Sequence, residues 1–136
     1  MVQIDVIYEG ELHTTARHGP SGAELATDAP VDNAGRGESF SPTDLVATAI
    51  GSCMLTVMGI VAERRNIDMA GARARVRKHM VADPVRRIGK LEVTIDLPAG
   101  LEADERKVLE NAARTCPVHK SLHPDMEVPL NFRYPD

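Results

Sequence analysis

The stretch that decides the fold is SPTDLVATAIGSCMLTVMGIVA, residues 41–62. It opens like a helix N-terminus, because Ser41 is a good cap and Pro42 suits the first helical turn. Asp44 stands where a capping box places its acidic residue. From Leu45 onward the stretch carries no charge. The pattern predicts one long helix, apolar on all sides and buried at the centre of the fold.

The same stretch is long enough to be considered as a membrane span. It is rich in Ala, Gly, Ser and Thr rather than Leu and Ile, and strand patterns that need water flank it on both sides. We therefore interpret it as a core helix and expect no membrane partner.

Alternating apolar residues predict strands on both sides of this helix. The pattern begins at Val2, and a turn cluster at 18–22 makes residues 1–29 a predicted hairpin, followed by a loop. After the helix, residues 72–80 and 90–97 alternate as a second hairpin.

The C-terminal third adds two helices and a strand. An amphipathic helix is predicted over 103–115, a short helix from Cys116 to Leu122, and a strand over 128–134. The resulting order, β-β-α-β-β-α-α-β, predicts one α+β domain over residues 1–136, with a mostly antiparallel sheet.

Composition and charge narrow the classes of partner. The chain contains no Trp, two Phe and two Tyr, so its core must be built from aliphatic side chains. In a small domain with so few large rings, we expect a second copy of the chain to complete the core. A net charge of −4 argues against a nucleic-acid partner. Arg73, Arg75 and Arg77 alternate on one strand face, which we interpret as a solvated sheet face. A strand pattern stands where a secretory signal would lie, and it predicts a cytoplasmic protein.

The two cysteines are the candidate chemical residues. Cys53 lies within the buried helix, where a small core residue is the plainer interpretation. Cys116 precedes Pro117, which places it at a helix N-cap facing unpaired N–H groups. That position favours a reactive thiol. No spacing rule brings the two cysteines together, so the residues alone leave a disulfide open.

A metal site is the alternative use of these residues. Cys116, His119 and His123 follow at i, i+3 and i+7, and Cys53 would complete a Cys2His2 set. Pro124 limits the short helix, so we expect no metal. We interpret the two histidines as a surface or dimer-contact pair.

Two motifs resemble the OsmC/Ohr family (osmotically inducible protein C and organic hydroperoxide resistance protein). One is the stretch from Ser41-Pro42-Thr43-Asp44-Leu45 to Gly51-Ser52-Cys53, and the other is Cys116-Pro117-Val118-His119-Lys120-Ser121-Leu122. The order of elements is similar as well. The resemblance implies an intertwined α+β homodimer with a long central helix and two sites at the subunit interface.

The resemblance also implies a chemistry. In the family's peroxidases the cysteine matching Cys53 attacks an organic hydroperoxide and becomes a sulfenic acid, which the cysteine matching Cys116 resolves as a disulfide. A dithiol, typically a lipoyl group, then restores the pair, and no cofactor is needed. We therefore expect thiol-dependent reduction of organic hydroperoxides.

The sequence departs from the peroxidase pattern at the helix start. Thr43 stands where those members carry a Glu, and the form is similar to the OsmC-like branch. Their thiolate-holding arginine has two matches, Arg17 in the first hairpin and Arg36 in the following loop. The alternative function is therefore an OsmC-like dimer whose thiol site is redox-active or binds a ligand with little turnover. A third class is a structural dimer with two buried cysteines.

Overall fold

The structure, a computed structural model, describes all residues 1–136. The chain divides into two compact units, residues 1–46 and 47–136. The long helix α1 (Pro42–Arg64) begins in the first unit and continues in the second. The architecture is α+β as predicted, but it contains two three-stranded sheets where the sequence predicted one sheet.

The first unit is an antiparallel sheet in the order β1-β2-β3. Its strands are β1 (Ile4–Gly10), β2 (His13–His18) and β3 (Glu24–Asp28). The predicted hairpin over 1–29 was wrong in detail, since the chain reverses twice. Gly10, Glu11 and Leu12 all have positive φ and divide the first predicted strand into two.

This first sheet exposes apolar side chains on both faces of β1. The consecutive residues Val6, Ile7 and Tyr8 are 62%, 65% and 64% exposed, although neighbours in a strand point to opposite faces. Soluble chains rarely leave a contiguous apolar surface of this kind uncovered. The first unit therefore presents a surface that nothing in this chain covers.

Helix α1 begins with the predicted capping box, which is confirmed. The Ser41 N–H donates to the Asp44 carboxylate at 2.9 Å, and the Asp44 N–H donates to the Ser41 Oγ at 3.1 Å. These reciprocal bonds satisfy two backbone donors that a helix N-terminus leaves free. They fix where α1 begins, and thereby the position of every residue along it.

The burial of α1 differs from the prediction. The helix buries one stripe, formed by Ala47, Ile50, Gly51, Met54, Met58 and Ala62, while Ile60 is 46% exposed. A Cβ on Gly51 would lie 3.0 Å from Val76, so the missing side chain lets a strand approach closely. The chain supplies neighbours for one face only, which is why the prediction of burial on all sides was wrong for the single chain.

The second unit contains the sheet β4-β5-β6, made of β4 (Arg73–Val81), β5 (Arg87–Asp96) and β6 (Leu130–Arg133). β4 and β5 form the predicted antiparallel hairpin, with Arg77 opposite Glu92. β6 pairs with β5 in parallel, because two helices carry the chain back across the sheet before β6 begins. The core is aliphatic as predicted, with Met54, Leu91 and Leu109 fully buried.

The two crossover helices are α2 (Ala103–Ala113) and α3 (Pro117–Ser121). A capping box between Glu102 and Glu105 starts α2. Cys116 is the N-cap residue of α3 and Pro117 occupies its first turn, as the sequence predicted. The chain between the two helices is therefore a single tight corner, and Cys116 stands at it.

The capping box yields a stability prediction. We expect Asp44→Ala to lower the free energy of unfolding by about 1 kcal/mol, because a helix N-terminal donor loses its acceptor. The matched control is Glu63→Ala near the C-terminal end of the same helix, where a carboxylate opposes the helix dipole and its loss costs nothing. Urea unfolding measures both variants. Unchanged stability of Asp44→Ala, together with lost thiol reactivity, would contradict the capping role.

Candidate active site

Cys53 lies midway along α1 and is half-buried. The fully buried residues nearest to it on the helix are Ile50 and Met54, so Cys53 stands at the edge of the buried stripe. Its thiol is free. A half-buried thiol at the edge of a packed face is accessible to a small substrate, whereas a thiol inside the stripe is not.

Cys116 is fully buried and its thiol is also free. Its backbone continues both neighbouring helices: its N–H donates to the Ala113 carbonyl at 3.3 Å, and its carbonyl accepts from the Lys120 N–H at 3.1 Å. These bonds hold the corner between α2 and α3 in one conformation. The backbone of Cys116, and with it the direction of its Cα–Cβ bond, is thereby set by the two helices.

Contacts at the end of β6 hold α2 against the sheet. The Tyr134 hydroxyl donates to the Glu110 carboxylate at 2.5 Å, and the Arg106 guanidinium lies 4.2 Å from the centre of the Tyr134 ring. Burial, followed by the Glu110 hydrogen bond, raises the pKa of Tyr134, so the hydroxyl stays a donor. The helix that leads into Cys116 is therefore anchored by a hydrogen bond and a stacked cation.

The structure brings the two cysteine side chains together. The Cys53 thiol lies close enough to Cys116 to raise its pKa, and no disulfide links the two residues. The residues come from α1 and from the corner before α3, which are far apart in sequence. Two thiols in contact need only a change of oxidation state to become a disulfide.

The pKa of Cys116 is shifted in the opposite direction to the one that its N-cap position predicted. Its N-cap position predicted a stabilised thiolate, but burial raises the pKa of Cys116, and the neighbouring Cys53 thiol raises it further. The backbone N–H groups of Val118 and His119 lower it, but no regular capping hydrogen bond forms and burial prevails. Burial therefore favours the protonated thiol of Cys116.

The histidines do not form the alternative metal set. No group of three or more His, Cys, Asp or Glu side chains is arranged to hold a metal ion. His123 is exposed and lies 3.8 Å from the Asp125 carboxylate. His119, one turn after Cys116, is half-buried, and its Nδ1 is buried without a hydrogen-bond partner.

The two candidate arginines both lie in the first unit. Arg17 is exposed on β2, between Asp5 and Glu24 in the strand register. Arg36 forms an ion pair with Glu11. Their role beside the Cys53 thiolate stays a prediction.

Thr43, which stands in the position of the family's Glu, lies in the first turn of α1. Its hydroxyl is 3.2 Å from the Ser41 hydroxyl. Its neighbour Asp44 is engaged in the capping box. Neither side chain is a free replacement for the missing carboxylate.

Comparisons with known proteins agree with this architecture. A crystal structure from Psychrobacter arcticus 273-4, provisionally described as an osmotic stress induced and detoxification response protein, has a TM-score of 0.92 at 47% identity, covering 98% of this chain and 96% of that chain. An OsmC-like protein from Mycoplasma pneumoniae gives a TM-score of 0.82 at 13% identity over 98% of this chain and 96% of that chain. The comparison with curated proteins gives no match.

A more distant similarity links the fold to peroxide defence proteins. An organic hydroperoxide resistance protein from Legionella pneumophila has a TM-score of 0.74 at 19% identity, covering 97% of this chain and 96% of that chain. Similarity at this identity concerns the fold alone.

By length and composition α1 is apolar enough to cross a membrane, with 33% of its apolar window buried inside the chain. The core helix of a soluble protein passes the same test. The family model described as OsmC-like protein matches residues 35–131, a span that includes both cysteine motifs. The resemblance seen in those motifs is confirmed, and the chain belongs to the OsmC-like protein family.

Proposed function

We propose that this protein reduces organic hydroperoxides, with Cys53 as the attacking thiolate and Cys116 as the resolving thiol. The observation that carries the proposal is the proximity of two free thiols, one half-buried and one fully buried. A structural pair of core cysteines has no need of this arrangement. A nucleophile with a ready resolving partner requires it.

The reaction balances with one peroxide and one external dithiol. The Cys53 thiolate attacks one oxygen of the O–O bond; the bond breaks, and the alkoxide takes a proton and leaves as an alcohol. Cys53 is then a sulfenic acid. The Cys116 sulfur attacks the Cys53 sulfur, its proton leaves with the hydroxyl group as water, and a disulfide forms. A dithiol of the lipoyl type reduces that disulfide and is itself oxidised to a disulfide.

The raised pKa of Cys116 suits this sequence of steps. Before oxidation, a protonated Cys116 donates a hydrogen bond that stabilises a thiolate on Cys53. After oxidation, Cys116 gives up that proton to the leaving hydroxyl group as its sulfur attacks, so that the attacking atom has thiolate character and water leaves. A Cys116 thiolate would instead place a second negative charge beside Cys53, which is unfavourable at a buried position.

The substrate class follows from the residues around Cys53. Its neighbours along α1 are apolar or small, so an alkyl or aryl tail entering the site loses water contact and gains roughly 25 cal/mol per Å² buried. Hydrogen peroxide has no tail to bury. Arg17 or Arg36 is the proposed cation for the Cys53 thiolate.

The working unit is proposed to be a homodimer. Large apolar side chains are exposed on both faces of β1, and helix α1 is buried along only one stripe. A second copy is the natural cover, since it presents the same surfaces in return. We assign the exposed apolar surface to that copy and propose no membrane or nucleic-acid partner. The location proposed is the cytoplasm, where reduced dithiols keep the pair active.

A second candidate function is supported by the helix start. Thr43 stands where the peroxidases carry a Glu, and Asp44 is engaged in the capping box. Without a carboxylate to orient an arginine, the thiolate is less activated. The pair would then act as a redox-active or ligand-binding site with little turnover.

Single-turnover oxidation separates the two functions. We expect cumene hydroperoxide to oxidise Cys53 at least about tenfold faster than hydrogen peroxide, because its aryl tail is buried in the transition state. Cys116→Ser should keep this preference and stop at the sulfenic acid, whereas Cys53→Ser should remove the fast phase. Equal and slow rates for both oxidants would favour the second candidate.

The oligomeric state is tested by light scattering during size-exclusion chromatography. We expect twice the chain mass of 14.8 kDa across the micromolar range, because an obligate interface buries more than about 2,000 Å². A monomer at these concentrations would contradict the assignment of the exposed apolar surface to a second copy.

A further inference from the structure

The outer face of the β4-β5-β6 sheet contains a second concave site, away from the core face of that sheet. It is a cavity of about 310 Å³, at the lower end of the range for small-molecule sites. It is lined by side chains with polar or charged ends, those of Arg75, Arg77, Glu92, Thr94, Asn131 and Arg133. We call it the arginine cavity, and neither cysteine is among the residues that line it.

The register of the sheet explains how the arginine cavity forms. Arg75, Thr94 and Asn131 lie side by side on β4, β5 and β6. The uncharged hydroxyl of Thr94 and amide of Asn131 are therefore next to the Arg75 guanidinium in the sheet. Arg77 lies two residues further along β4 on the same face, and Arg133 lies two residues beyond Asn131 on β6. Three guanidinium groups and the Glu92 carboxylate therefore surround two uncharged hydrogen-bonding side chains.

The cations of the arginine cavity are only partly neutralised by the protein. No carboxylate pairs with Arg75 or Arg77, although Glu92 lies directly opposite Arg77 in the register. The Glu92 carboxylate is instead engaged by His79 at 3.1 Å and by Lys90 at 3.6 Å.

Arg133 is paired differently. Its Nε lies 3.4 Å from the Asp96 carboxylate, and a guanidinium has further N–H groups beyond the one that this contact uses. The cavity thus offers two unpaired guanidinium groups and part of a third.

We propose that the arginine cavity binds the phosphate group of a small phosphate monoester. Guanidinium groups match phosphate oxygens in a bidentate manner, and two unpaired cations balance a dianion. The Thr94 hydroxyl and the Asn131 amide supply the neutral donors that remaining oxygens or ester-side groups need. A long polyanion fits less well, because the chain as a whole carries a net charge of −4.

The test is a calorimetric titration of the full-length protein with glycerol 2-phosphate at low ionic strength. We expect saturable binding with one site per chain. Arg75→Gln/Arg77→Gln should weaken binding at least about tenfold, because two charge-assisted hydrogen-bonding groups are lost. The control is Arg73→Gln, which removes one positive charge from the same face of β4 but outside the cavity. It should weaken binding much less than the double variant does, because Arg73 does not line the cavity and acts only through long-range charge.

Two further titrations test whether binding is specific for a phosphate dianion held by guanidinium groups. Acetate carries a single charge and should bind at least about tenfold more weakly than the phosphate monoester. Arg77→Lys keeps the charge but loses the guanidinium fork, so weakened binding by this folded variant supports the proposal even where the double variant is unstable. Equal affinity in the wild type and the double variant, equal affinity for acetate, or no binding at all would overturn it. Hydroperoxide turnover by Arg75→Gln/Arg77→Gln should be unchanged, which separates this proposal from the thiol chemistry.

Discussion

The constraint on which the candidate site depends is the placement of two free thiols side by side. Cys116 is fully buried, Cys53 is half-buried, and burial together with the neighbouring thiol raises the pKa of Cys116. Burial disfavours two thiolates side by side, so the more accessible Cys53 is the proposed nucleophile and Cys116 its proposed resolving partner. The difference in burial, rather than any difference between the residues themselves, distinguishes the two proposed roles.

Interactions at the start of α1 and around α2 hold the two cysteines in place. The capping box at Ser41 and Asp44 sets where α1 begins, and Gly51 allows the helix to lie close to β4. On the other side, the Tyr134–Glu110 hydrogen bond fixes α2 against β6. Cys116 lies between α2 and α3, and backbone hydrogen bonds to both helices hold it in position. The two thiols are therefore preorganised by elements far apart in the chain, which limits the motion needed for a disulfide to form.

Local signals in the sequence predicted the local structure well. The capping box, the β4–β5 hairpin and the N-cap position of Cys116 all depend on residues within a few positions of one another. The predictions that failed depend on tertiary neighbours. The two separate sheets, the one-sided burial of α1 and the raised pKa of Cys116 depend on which elements pack together, and sequence periodicity does not encode that. The sequence predicted that the arginines of β4 share one face of the strand. It did not predict that Arg133, on β6, lines a cavity together with two of them.

The central claim is that the contact between Cys53 and Cys116 is a working redox pair, and peptide mass mapping after one equivalent of cumene hydroperoxide tests it most directly. We predict loss of both thiols from the wild-type protein and a single disulfide between the peptides that contain Cys53 and Cys116, within one chain. A dimedone adduct at Cys53 should appear only in Cys116→Ser. Loss of one thiol alone, oxidation of Cys116 before Cys53, or disulfides between chains would contradict the account.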